Sequence, residues 1–84
     1  MKYTVILSRQ AEHSYKKLEE KVKAQIQDCL ISLEEEVYCG KPLHGDLKGN
    51  YSLRVGKLRI IYMISVKDKI VYIISIGARK TVYQ

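Results

Sequence analysis

The sequence predicts an α+β fold of order βααβββ, in which a helical hairpin packs on an antiparallel sheet of three to four strands. Three observations carry this reading. A short β-branched and aromatic run opens the chain, a helical period of apolar residues follows it, and the last third alternates in runs separated by short turns. With 84 residues the chain suits one domain spanning 1–84, and most of its 46% hydrophobic residues are needed in a single core. Seven tyrosines supply all the aromatic area, because Trp and Phe are absent. Each buried tyrosine hydroxyl then needs a partner or water.

The elements follow in order. "KYTVIL" reads as a strand over 2–7, and Ser8 is a good N-cap for the helix after it. Apolar residues then recur at 11, 15, 18, 22, 26, 30 and 33, steps of three and four that hold a helical face. One helix of about 25 residues would be near 37 Å long at 1.5 Å per residue, which is awkward for so small a domain. A hairpin broken near Glu19–Val22 is favoured, although no Gly or Pro forces the break. Glu34, Glu35 and Glu36 close the second helix, where the dipole disfavours acids unless cations or solvent compensate. Residues 37–50 hold Gly40, Pro42, Gly45 and Gly49 and read as a loop. Then come "YSLRV", a two-residue turn at Gly56–Lys57, "LRIIYMISV", a turn at Lys67–Asp68, and "KIVYIISI", ended by Gly77.

The net charge of +6 is unevenly placed. Residues 1–36 carry six Lys/Arg against seven Asp/Glu, and residues 37–84 carry nine against two. The strand half is therefore electropositive, which favours phosphate-rich or acidic partners over a merely soluble surface. Several chemistries find no support. The glycines match neither a Walker nor a dinucleotide pattern. His13, His44, Cys29 and Cys39 lack the paired spacing of a zinc site, and His13 reads as a surface residue. No base is fixed beside either cysteine, and Cys29 lies on the apolar helical stripe as a small core residue. The strand half lacks the close carboxylate pair of a glycosidase. No apolar run approaches a membrane span, and no signal peptide opens the chain, so a reducing cytoplasm is expected.

Arginine is the distinctive residue. There are eleven lysines and only four arginines, and three of the four, Arg54, Arg59 and Arg79, fall in the strand half. A rigid guanidinium fork suits phosphate better than a lysine ammonium does. Counting back from the Gly56–Lys57 turn, Val55 faces Leu58 and Arg54 faces Arg59. Like charges directly across a ladder are destabilising. Either the two side chains splay into solvent or an anion sits between them. Arg79 can reach the same face if the third run lies beside the second, and three guanidiniums would bind a phosphodiester and the extra charge of its transition state. Tyr83 offers a ring for stacking or a hydroxyl for hydrogen bonding, or simply packs on the domain.

At these residues the chain resembles the RelE/ParE superfamily of toxins, the toxic halves of toxin–antitoxin pairs. "LHGDLKGNYSLRVGKLRIIY" followed by "IISIGARKTVY" is similar to the superfamily's Leu-x-Gly loop, its Tyr-Arg-Leu-Arg-x-Gly-x-Tyr-Arg-x-x-Tyr run, and its Gly-His-Arg with a nearby Val-Tyr. The resemblance implies the RelE-like fold and, in the RelE branch, a ribosome-dependent endoribonuclease that cuts mRNA in the A site. There the 2′-hydroxyl attacks the adjacent phosphate, with no metal or other cofactor. Carried over by motif, Arg54 lies near the 2′-hydroxyl, Arg59 steadies the phosphorane, Arg79 lies near the leaving 5′-oxygen and Tyr83 orients the substrate. Lys41, Lys48, Lys57 and Lys80 are the expected RNA contacts around them. The expected partners are a cognate antitoxin, in a toxin–antitoxin hetero-oligomer, and the ribosome with its mRNA. The ParE branch implies inhibition of DNA gyrase instead, and a third possibility is an inactive relative that only binds antitoxin. Three positions depart from the motif. Ser52 stands for the usual Arg or Lys, Leu58 for a tyrosine, and Ala78 for the frequent histidine. Arginine does not exchange its proton, so positioning and charge stabilisation would supply most of the rate.

Overall fold

The structure is a computed structural model and describes residues 2–78. The first strand, β1 (Thr4–Leu7), leads through Ser8 into α1 (Arg9–Lys16). Ser8 caps that helix as expected, its hydroxyl accepting from the Ala11 N–H at 3.0 Å and donating to the Ile74 carbonyl at 2.7 Å. α2 (Glu20–Leu33) follows after a break at 17–19. The predicted hairpin is present, but its break lies at 17–19, earlier than the expected Glu19–Val22: Glu19 is the N-cap of α2 and Val22 lies within that helix. The acidic cluster closes α2 as expected, and Lys2 pairs with Glu34 at 3.4 Å. The Tyr3 N–H also donates to the Glu34 carbonyl, so the chain's start covers the helix end.

The remaining elements are β2 (Lys41–Pro42), a 3₁₀ turn (Gly45–Leu47), β3 (Asn50–Val55), β4 (Leu58–Ser65) and β5 (Ile70–Ala78). The sheet has five strands in the order β1-β5-β4-β3-β2, one more than expected. β1 runs parallel to β5, and the other three pairings are antiparallel. The extra strand is β2, whose Pro42 lacks a donor and is tolerated because β2 is an edge. β5 also continues past Gly77 to Ala78, since Gly77 pairs with Arg59 without breaking the ladder. The core lies between the helices and one sheet face. Ala11, Ile26 and Leu33 from the helices meet Ile60, Tyr62, Val71, Ile73 and Ile76 from the strands. Cys29 and Val22 pack against this cluster, and His13 is on the surface. No helix is long and apolar enough to cross a membrane, among the described residues.

Candidate functional site

The β3–β4 hairpin builds the site through its period of two. Tyr51, Leu53, Val55, Leu58, Ile60 and Tyr62 point to the core, which leaves Ser52, Arg54, Arg59 and Ile61 on the opposite face. Gly56 closes the turn at φ 59°, a conformation glycine adopts without a steric penalty. The resulting register pairs Val55 with Leu58 and Arg54 directly with Arg59. Across β4, Arg59 pairs with Gly77, so no side chain fills that flank.

One row along, Lys41 pairs with Ser52 and Ser52 with Ile61. These strands enclose a cleft of about 280 Å³ lined by Cys39, Gly40, Lys41, Ser52, Leu53, Arg54 and Arg59. Its lining holds three cations and no carboxylate. Arg59 is half-buried and its Nη1 donates to the Oγ of buried Ser52 at 3.2 Å, which fixes the direction of the fork. Arg54 is exposed beside it. Such a cleft suits an anion with several acceptor oxygens.

The far wall is held from beneath by Tyr62. Its ring is fully buried and stacks on Tyr51 with centroids 5.5 Å apart. Its hydroxyl donates to the Val37 carbonyl at 2.9 Å and accepts from the Gly40 N–H at 2.9 Å. Burial pushes the Tyr62 hydroxyl up to about 12, so it stays protonated and keeps its donor role. The Gly40 N–H pulls the value down in part, and the nearby Cys39 thiol pushes it up. Gly40 is required by close approach, because a Cβ there would lie 2.6 Å from Tyr62 Oη and 2.9 Å from the Ser52 carbonyl.

The candidates named from sequence separate into groups. Arg54, Arg59 and Lys41 share the cleft. Lys57 sits in the hairpin turn beside a different cleft, against Lys17, Leu18 and Val22. Lys48 is exposed after the 3₁₀ turn and does not line the arginine cleft. Arg79, Lys80 and Tyr83 lie outside the described residues. Cys39, Gly40 and Tyr62 were not among the site candidates, since the sequence placed Gly40 in a loop and fixed no base or metal spacing at Cys39. Among the described residues, no group of three or more His, Cys, Asp or Glu could hold a metal ion.

Comparison with known proteins gives the family and the fold. Residues 5–83 match the family model described as the ParE toxin of the type II toxin–antitoxin system parDE. The toxin RelG of Mycobacterium tuberculosis (strain ATCC 25618 / H37Rv) is 29% identical over 86 residues, spanning 100% of this chain and 99% of RelG. The crystal structure of the RelBE2 toxin–antitoxin complex from M. tuberculosis matches with a TM-score of 0.87 at 30% identity, covering 94% of this chain and 100% of that one. The archaeal RelE–RelB complex from Pyrococcus horikoshii matches with a TM-score of 0.78 at 26% identity, covering 94% and 97%. On this evidence the chain belongs to the ParE toxin family of type II toxin–antitoxin systems, within the RelE/ParE superfamily.

Proposed function

We propose that this toxin is a ribosome-dependent endoribonuclease that cuts mRNA in the A site by 2′-hydroxyl attack, without a metal. The observation that supports this reading is the Arg54–Arg59 pair, set in direct register within one cleft. Folding places two like charges side by side against a cost, and a phosphodiester between the forks would offset it. Arg59, with its fork oriented by Ser52, would hold the phosphate as it becomes a phosphorane. Arg54 would lie nearer the attacking 2′-hydroxyl, and Arg79 nearer the leaving 5′-oxygen, with Tyr83 orienting a base. Lys41, Lys48, Lys57 and Lys80 would add sequence-independent attraction for the backbone. A reaction whose transition state builds negative charge on phosphate oxygens fits a site made of cations.

Two of the solved relatives above are toxin–antitoxin complexes. By the same route, an acidic amphipathic antitoxin would neutralise the basic half of this chain in a hetero-oligomer. The ribosome and its mRNA would be its targets in the cytoplasm.

The ParE description of the matching family favours a second reading, inhibition of DNA gyrase. One experiment separates the two. The chain is expressed in a cell-free translation system, mRNA 5′ ends are mapped, and gyrase–DNA adducts are assayed in parallel. Cuts within codons that disappear in Arg59→Ala and Arg79→Ala, both still folded, are the expected result. Intact mRNA with trapped gyrase adducts would replace the RNase reading, and neither signal would leave an antitoxin-binding module.

A further inference from the structure

One end of the core is left open. Between the helix elbow and the tip of the β3–β4 hairpin lies a second cleft, of about 600 Å³. Its floor is aliphatic, with Leu18 from the elbow, Val22 from α2, and Val55 and Leu58 from the hairpin. All four pack against the core yet stay half-buried. Apolar area left to water at the end of a core is unfavourable, and one more apolar group would complete it. The rim carries two lysines and one acid, Glu19. The Glu19 carbonyl starts α2 by accepting from the Lys23 N–H. Its carboxylate makes no capping bond and, among the described residues, no ion pair.

The chain itself leads to this cleft. β5 ends at Ala78, which pairs with Leu58 in the cleft floor. Residues 79–84 follow and lie outside the described residues. Val82 is their one aliphatic side chain. Extended chain spans about 3.3 Å per residue, so Val82 has a reach of about 13 Å from Ala78. Strand alternation sorts the segment by face. Gly77 pairs with Arg59 on the arginine face, and Ala78 pairs with Leu58 on the core face. Continued by twos, Lys80 and Val82 would turn to the cleft, and Lys80 would bring a cation towards Glu19. Arg79 and Tyr83 would turn to the arginines.

We infer that the chain's own residues 79–84 close this second cleft, with Val82 seated on Leu18, Val22, Val55 and Leu58. Val82 is then a positioning residue. It touches no substrate, and it holds Arg79 and Tyr83 to the opposite face. The positioning role rests on the endoribonuclease reading above, whereas the seating does not.

The test has two readouts on the full chain. The first is isotope-filtered methyl NMR of the wild type, which reads through-space contacts within and between chains. Contacts from the Val82 methyls to those of Leu18, Val22 and Leu58 within one chain are the expected result. An absence of these contacts would overturn the seating. Contacts only between differently labelled chains would also overturn it and assign the cleft to a second copy. The second readout is single-turnover cleavage on purified, mRNA-programmed ribosomes. Affinity is read separately with 2′-O-methyl mRNA, which cannot be cut, and folding by circular dichroism. Val82→Asp is expected to lower the cleavage rate by about 10²-fold through misplacement of Arg79 and Tyr83, while affinity changes by less than about threefold. Val82→Ile keeps an aliphatic group at the position and should restore the rate. A wild-type rate in folded Val82→Asp would overturn the positioning role, as would a loss of affinity that matches the loss of rate. If the wild type leaves mRNA whole, the nuclease reading and the positioning role fall together, and the methyl contacts still decide the seating.

Discussion

At the scale of single residues, Tyr62 links the core to the cleft. One hydroxyl ties the Val37 carbonyl and the Gly40 N–H, and so fixes the loop that feeds β2. Tyr62→Phe leaves both groups without that partner and is expected to cost about 1–3 kcal/mol in urea unfolding. The raised value of this hydroxyl, about 12, also predicts a pH dependence. The folded state holds the proton more tightly than the unfolded chain, whose tyrosine titrates near 10. That contribution is therefore complete below about pH 10 and is lost as pH rises towards 12. Thermal melts of wild type should fall over this window by more than those of Tyr62→Phe. Gly40→Ala tests the same clamp sterically. Its Cβ would meet the Ser52 backbone carbonyl at 2.9 Å, and backbone cannot step aside as a flexible side chain can. The expected loss is about 1–3 kcal/mol, with β2 displaced from β3.

At the scale of elements, the β3–β4 hairpin trades stability for charge. Arg54 and Arg59 oppose each other across the ladder, and only Arg59 is drawn down by Ser52. Arg54→Gln should stabilise the fold by a few tenths of a kcal/mol at low salt. The gain should shrink as salt screens the pair, and RNA cleavage should drop in the same variant. Urea titrations at two salt concentrations check the first part. This hairpin was also the most legible element. The two-residue Gly56–Lys57 turn fixed the count on either side, so the Arg54–Arg59 pairing followed from alternation alone. β2 was not legible, because two residues carry no period and Gly40 and Pro42 read as loop chemistry. The parallel partnership of β1 with β5 was hidden for a different reason. The helical stripe records which face is buried but not where the first strand lies in the sheet. The role of Tyr62 in the cleft wall was hidden too, since its partners Val37 and Gly40 lie 25 and 22 residues away.

At the scale of the whole molecule, the fold separates two kinds of surface. The helices cover one sheet face and bury the core, which frees the opposite face of β2, β3 and β4 to carry Lys41, Arg54 and Arg59. The net charge of +6 adds a general attraction to nucleic acid. Affinity for single-stranded RNA should then fall with salt, and each cleft cation removed should lower the slope of log K against log salt by about 0.7. Fluorescence anisotropy of wild type against Arg54→Gln measures that difference. The central claim is that the paired arginines are assembled to hold an RNA phosphodiester. It is tested most directly by following backbone and arginine side-chain NMR signals during titration with a short 2′-O-methyl RNA. The account predicts that the largest shifts cluster at Lys41, Ser52, Arg54 and Arg59. Shifts confined to α1 and α2, or none at saturating RNA, would contradict it.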